Sequence, residues 1–328
     1  SQAARLRLTG ERDRRYGPQP KATYDLSRPA MPMTLGLFFA SHGESLLDDL
    51  SILEAAFRLN DQSPLGSAAG FGSPLPIDRE YTRQLLGFSR LQVNTLYCQN
   101  RGKVEGMIAH ALLSLQGSLA KLASDLILFS SREYAFLRLP SELTTGSSIM
   151  PQKENPDVLE LTRARAASLT GAFTEVLTLS SRLPSGYNRD YQHLKEPLIR
   201  SFNTVTQNLP IMARLVEGLT VDEEALRRSC TPEIFAADVA LEAAQQGVPF
   251  RDAYRHAMDE IAGLSLDQAF LNRRIDAYQV LGSMGNLSLD RLNERLAQGR
   301  RWRAAEEENR IRAEERLLSP TLLADPGQ

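Results

Sequence analysis

Cysteine is scarce in this sequence: Cys98 and Cys230 are the only two, 132 positions apart. Neither belongs to a CxxC pair, which excludes a disulfide scaffold and leaves almost no room for a cysteine-rich zinc site. Two buried thiols in a reducing compartment are expected. A surplus of either charge is also lacking. Lys and Arg number 38 against 40 Asp and Glu, a net charge of −2. A general nucleic-acid binder or a polybasic membrane surface would carry a basic excess. No run approaches 18 uncharged apolar residues, so no membrane span is expected. Residues 1–5 (SQAAR) hold no apolar signal region. These absences predict a soluble, cytoplasmic protein that partners neither nucleic acid nor membrane.

What is present is ordinary globular material. Apolar residues make up 42% and charged residues 24% of 328 positions, enough for two domains or one elongated one. The longest periodic stretch runs over 103–130, with Val104, Ile108, Leu112, Leu115, Leu119, Leu122, Leu126 and Phe129 spaced by three or four. That spacing is one face of a helix roughly 42 Å long at 1.5 Å per residue. Similar patterns predict helices over 35–59, 156–181 and 197–219, with Pro156 suited to a first turn and Pro210 expected to kink the last. Four helices of this length imply an elongated bundle.

Beyond residue 219 the elements shorten. Compact helices are expected over 222–229, 234–246 and 250–262, separated by Thr231-Pro232 and Gly247-Val248-Pro249. The stretch 300–316 is mostly Arg, Glu and Ala and reads as a solvated helix with i,i+4 charge pairs and a docked Trp302. The fold class is therefore all-α, with no β-sheet required. Its expected parts are a divergent segment 1–28, a central bundle 29–219, and a small helical C-terminal domain 220–328.

One loop concentrates chemistry. Residues 144–156 read TTGSSIMPQKENP, placing a glycine, several hydroxyls, Lys153 and Asn155 just before a helix. Backbone N–H groups at a helix start favour anions, and Lys153 and Asn155 add side-chain donors. Such a loop can cradle a carboxylate or a developing oxyanion. On residue types alone it reads equally well as a Ser-rich cap and turn.

The eleven residues GSSIMPQKENP resemble the signature of the fumarase/aspartase superfamily, G-S-S-x-x-P-x-K-x-N-P, at all seven of its fixed positions. Further stretches are similar to the argininosuccinate lyase branch. These are 60–68 (NDQSPLGSA), 76–80 (PIDRE), Tyr187-Asn188-Arg189-Asp190 with Gln192, Lys195 and Glu196, and Ala237-Asp238 leading into Gly247-Val248-Pro249-Phe250-Arg251. The likeness covers residues 26–255. It implies an elongated helical-bundle lyase of the fumarase/aspartase type, assembled as a homotetramer with active sites shared between subunits. The implied reaction eliminates a nitrogen leaving group from a succinyl moiety and releases fumarate; from argininosuccinate the other product is arginine. The expected partner is a small-molecule substrate, and neither metal nor organic cofactor is expected.

Carried over position by position, the resemblance makes Ser147 the general base, with Lys153 and Asn155 stabilising the aci-carboxylate formed beside it. Tyr187, Gln192 and Lys195 match substrate-binding positions. Two departures stand against this. Where the family has a Thr-His-x-Gln segment, this chain reads ATYDLSRPAMP over 22–32, placing Leu26, or Asp25 after a one-residue slip, in the histidine's position. Of His42, His110, His193 and His256, His193 is the reserve candidate for proton transfer. The family also carries a domain and a bundle helix, with a Ser-Arg-Asn-Asp motif, ahead of a point where this chain has only about 25 residues. Two alternatives thus accompany the lyase reading: a catalytically silent relative serving as a structural or regulatory oligomer partner, and a lyase with a different amine leaving group.

Overall fold

The computed structural model describes residues 20–25 and 28–318. The Arg-rich stretch 1–19, Leu26 and the side chain of Asp25 lie outside the described residues, so the proton-donor expectations placed there have no structural counterpart. Ten α-helices occur among the described residues. The long ones are α1 (Leu35–Asn60), α3 (Lys103–Ser130), α4 (Asp157–Ser181), α5 (Lys195–Gly218) and α10 (Leu289–Leu317). The short ones are α2 (Arg79–Leu86), α6 (Glu223–Ser229), α7 (Ala236–Gln245), α8 (Phe250–Ile261) and α9 (Gln268–Ala277). Contrary to the expectation that no sheet is needed, four two-stranded ribbons accompany them. The longest is an antiparallel hairpin of Pro20–Asp25 with Arg28–Thr34, where a helix was not expected either.

The chain forms two compact units, neither of them a contiguous segment. The first takes its described residues from Ser1–Ser45, Leu122–Glu160 and Met212–Asn293; the second from Leu46–Lys121, Leu161–Ile211 and Glu294–Gln328. These boundaries differ from the 29–219 and 220–328 division expected from element length.

In the second unit the periodic stripes meet as the sequence implies. Leu112 and Leu115 of α3, Leu169 of α4 and Val205 of α5 form one buried cluster, with Leu53 of α1 and Leu209 packed against it. A polar knot crosses the same three helices. Gln116 donates to the Thr162 carbonyl at 2.9 Å, Thr162 Oγ1 donates to Asn208 Oδ1 at 3.0 Å, and Arg165 reaches the same oxygen at 2.8 Å. Buried amides and hydroxyls are tolerated there because each finds a partner. Pro210 sits inside the continuous helix α5.

By length and composition alone α3 is apolar enough to cross a membrane. Its stripe residues Leu112, Leu115, Leu119, Leu122 and Leu126 are instead buried within protein. The charged helix α10 is longer than expected, because Gly299 does not interrupt it: a Cβ there would lie 2.3 Å from Leu50. Close approach to α1 is the reason for that glycine. Three residues on, Trp302 docks edge-on against Phe57 at 5.5 Å, and Arg295 pairs with Asp48 at 2.6 Å.

The first unit holds the hairpin, which lies against α6 and the Pro232–Phe235 turn. Phe38, Phe129 and Phe136 stack in series at 5.0 and 5.7 Å. Buried Cys230 joins Ile234, Phe235, Phe270 and Leu271 in a second cluster, while Cys98, in the other unit, is half-buried; neither takes part in a disulfide.

Candidate functional site

The loop 144–156 is a small hairpin of the first unit. Thr145 pairs with Asn155 and Gly146 with Glu154, antiparallel, which brings the two ends of the motif side by side. Asn155 Nδ2 donates to the Gly146 carbonyl at 3.4 Å. The hairpin is tied to the following helix by Thr145 Oγ1, which donates to the Asp157 carboxylate. Pro156 precedes α4 as its cap, with its carbonyl accepting from Leu159 N at 2.9 Å and Glu160 N at 3.1 Å.

Ser147 stands at the bend, half-buried, and its Oγ accepts from the backbone N–H groups of Ile149 at 3.4 Å and Met150 at 3.2 Å. Lys153 is exposed, and Ile149 at the tip is 86% exposed. The structure therefore brings Ser147, Lys153 and Asn155 into one short hairpin whose hydroxyl, ammonium and amide are all near solvent. A hydroxyl, an ammonium and an amide on one short hairpin are groups that can bind a carboxylate.

Tyr187, Gln192 and Lys195 belong to the second unit: Tyr187 and Gln192 lie on the turn between α4 and α5, and Lys195 begins α5. Gly186, at φ +105°, makes a bend that residues with a Cβ rarely adopt. Its N–H donates to Asn100 Oδ1 at 2.7 Å, and Asn188 Nδ2 reaches back to the Pro184 and Gly186 carbonyls at 2.9 and 3.1 Å. Lys195 Nζ donates to Gln192 Oε1 at 2.7 Å, so these two expected substrate contacts are already neighbours. Tyr191 and Leu194 turn inward and pack with Ala109 and Val176, whereas Tyr187 is exposed. A cavity of about 530 Å³ opens beside Asn100, with Lys103 and Arg101 on its polar side and Met107, Phe173 and Leu177 on its apolar side.

The histidines divide by surroundings. His42 is buried, with Nε2 3.1 Å from Asp125 Oδ2 and its ring edge-on to Phe38. Exposed His256 meets the Asp252 carbonyl at 2.8 Å, and exposed His110 leans on Phe173. His193 is exposed, one residue from Gln192. Asp238, from another of the matching segments, accepts from the Tyr278 hydroxyl. Burial raises its carboxyl above the ordinary aspartate range, and burial together with Asp238 raises the Tyr278 hydroxyl. Among the described residues, no three His, Cys, Asp or Glu side chains are grouped to hold a metal ion.

Sequence reasoning did not single out Asn100. The signal was available, as an asparagine just before a helix whose partner is a glycine in a Pro-Ser-Gly turn, but neither residue type names the other.

A family profile described as "Lyase" matches residues 11–171. The argininosuccinate lyase of Sorangium cellulosum is 44% identical over 295 residues, covering 90% of this chain and 68% of that protein. That of Phocaeicola vulgatus is 41% identical over 271 residues, covering 82% and 60%. That of Thermotoga neapolitana is 44% identical over 242 residues, covering 74% and 61%. The chain thus spans 60% of the length of one such relative and 68% of another. Among solved structures, EDDS lyase in complex with formate aligns with a TM-score of 0.83 at 22% identity, over 95% of this chain and 70% of that one. The class II fumarase of Schistosoma mansoni aligns at 0.66 and 16% identity, over 83% and 61%. These two likenesses show the fold. With the signature hairpin in place and close relatives along most of its length, the chain belongs to the argininosuccinate lyase family of the fumarase/aspartase superfamily.

Proposed function

We propose that this chain is a C–N lyase that eliminates fumarate from an N-substituted aspartate, with argininosuccinate as the substrate and arginine as the amine released. The observation that carries the reading is the hairpin 144–156, in which all seven signature positions fall on a turn leading into α4. Relatives 40% to 44% identical that carry the argininosuccinate lyase name support the choice of substrate.

In this reading Ser147 Oγ removes a proton from the carbon next to a substrate carboxylate. A serine hydroxyl is a weak base, so its alkoxide form needs help. The Ile149 and Met150 N–H groups that already point at Oγ would supply it, since hydrogen bonds to a charged form favour that form. The electron pair left on carbon delocalises into the carboxylate as an aci-carboxylate, whose added charge Lys153 and Asn155 would balance. Collapse of that intermediate breaks the C–N bond, forms the fumarate double bond and expels the amine. Tyr187, Gln192 and Lys195 would hold the remaining carboxylate or the amino-acid end. A homotetramer with shared active sites, working in the cytoplasm, completes the proposal.

The test is a panel of N-substituted aspartates incubated with the purified chain, with fumarate followed by its ultraviolet absorbance. Argininosuccinate should give the highest kcat/KM. Faster release from another amine would replace the leaving group and keep the chemistry. Absence of fumarate from every substrate, with helical structure intact by circular dichroism, would leave the silent-partner reading.

A further inference from the structure

We infer that Asn100 is a positioning residue for the Tyr187 turn. It fixes where Tyr187 stands through one side-chain hydrogen bond to the Gly186 backbone. The inference rests on the proposed lyase reading for the claim that this turn touches substrate; the anchoring itself rests on geometry within the second unit.

The base of the anchor is stiff. Asn100 N donates to the Tyr97 carbonyl at 2.9 Å, closing the short 3₁₀ turn Tyr97–Gln99. Two residues on, Gly102 N donates to Glu105 Oε2 at 2.7 Å, and Glu105 is in turn paired with Arg101. Gly102 has no room for a side chain, because a Cβ would lie 2.1 Å from the Ser180 Cβ at the end of α4. Asn100 is thus held on both sides by contacts that leave its backbone little freedom, and its amide oxygen points outward from that platform to Gly186.

The turn it holds has the opposite character. Between half-buried Leu183 and buried Tyr191 the chain runs through seven residues; the Asn188 side chain ties the first of them together, and the 3₁₀ turn Arg189–Leu194 takes up the last. Gly186 is its most permissive point, and the N–H of that residue is the bond Asn100 takes. Tyr187 follows immediately, so freeing Gly186 frees a residue expected to meet substrate.

The surroundings determine what removal would do. Asn100 lines the 530 Å³ cavity, so water can reach the Gly186 N–H once the amide is gone. No buried donor would then be left unmet, and the loss of stability should be small. The loss of position should not be small, because water holds the N–H without fixing where it stands.

Three readouts on Asn100→Ala and Asn100→Asp test this. Aspartate keeps the accepting oxygen and is the conservative variant. With Asn100→Ala, amide exchange at Gly186 should speed up about tenfold, consistent with the loss of one hydrogen bond. KM for argininosuccinate should rise about tenfold with kcat within about threefold, and the melting temperature should move by less than about 2 °C. Asn100→Asp should restore both exchange protection and KM. Unchanged exchange at Gly186 in Asn100→Ala would overturn the anchor. A changed KM that aspartate does not rescue would overturn the positioning role. If the parent chain releases no fumarate from any substrate, the lyase reading fails, and the exchange measurement still decides the anchor by itself.

Discussion

The Thr144–Pro156 hairpin and the Leu183–Lys195 turn each carry three of the candidate residues, and they are held in opposite ways. The hairpin is held by backbone: two paired residues on each strand, a serine that folds its own bend, and one hydroxyl tie to Asp157. Its tip offers Ile149 and Met150 to solvent. The turn is held by side chains, with Leu194 and Tyr191 sunk beside Val176 and with Asn100 and Asn188 gripping its carbonyls and amide. Residues that do chemistry in an exposed element are cheap to change for stability and costly for rate; apolar residues that seat a turn in the core, as Leu194 does, are the reverse.

The largest effect should come from the hairpin. Ser147→Ala should lower fumarate release about a thousandfold, the middle of the range for losing a positioned base, while the thermal midpoint stays within about 1 °C. A loss of fold in that variant would break the contrast. Next in size is Leu194→Ala in the turn. Leu194 is 1% exposed, and its truncation should cost about 2–5 kcal/mol in urea unfolding. The smallest effect should be that of Ile149→Ala at the hairpin tip, within about 0.5 kcal/mol of the parent by the same measurement, because no core contact is lost. A cost at Ile149 comparable to that at Leu194 would show that the hairpin is packed and that the comparison is mistaken.

The two regions were also unequally legible. The hairpin could be found because its chemistry is written in consecutive residues, where glycine, hydroxyl, lysine and amide stand within eleven positions. The turn's motif residues could be found in the same way, but its anchor could not. Asn100 lies 86 positions from Gly186, and only the fold places them together. The long helices were legible from periodicity, to the residue for Lys103–Ser130, because a core-facing stripe repeats in sequence as it does in space.

Where that stripe is missing, the reading failed. The helix Arg79–Leu86 buries no residue, and its only marks are the Asp78 cap, which accepts from Tyr81 N at 2.8 Å, and the left-handed Gly87. Helix Gln268–Ala277 buries only Phe270, Leu271 and Ile275, and it announces itself mainly through the Asp267 cap. Helix α10 starts at Leu289, ahead of the charged stretch 300–316, and carries Gly299 where it approaches Leu50. Three of the four two-stranded ribbons went unseen because pieces of two residues are too short for any alternation to show.

The most direct test of the lyase account runs the reaction backwards. Fumarate and arginine incubated with the purified chain in D₂O should yield argininosuccinate carrying one non-exchangeable deuterium on the succinyl carbon opposite the new C–N bond. It should be read by mass spectrometry and be absent with Ser147→Ala. Formation of no argininosuccinate by the folded protein, or equal formation by Ser147→Ala, would contradict the account.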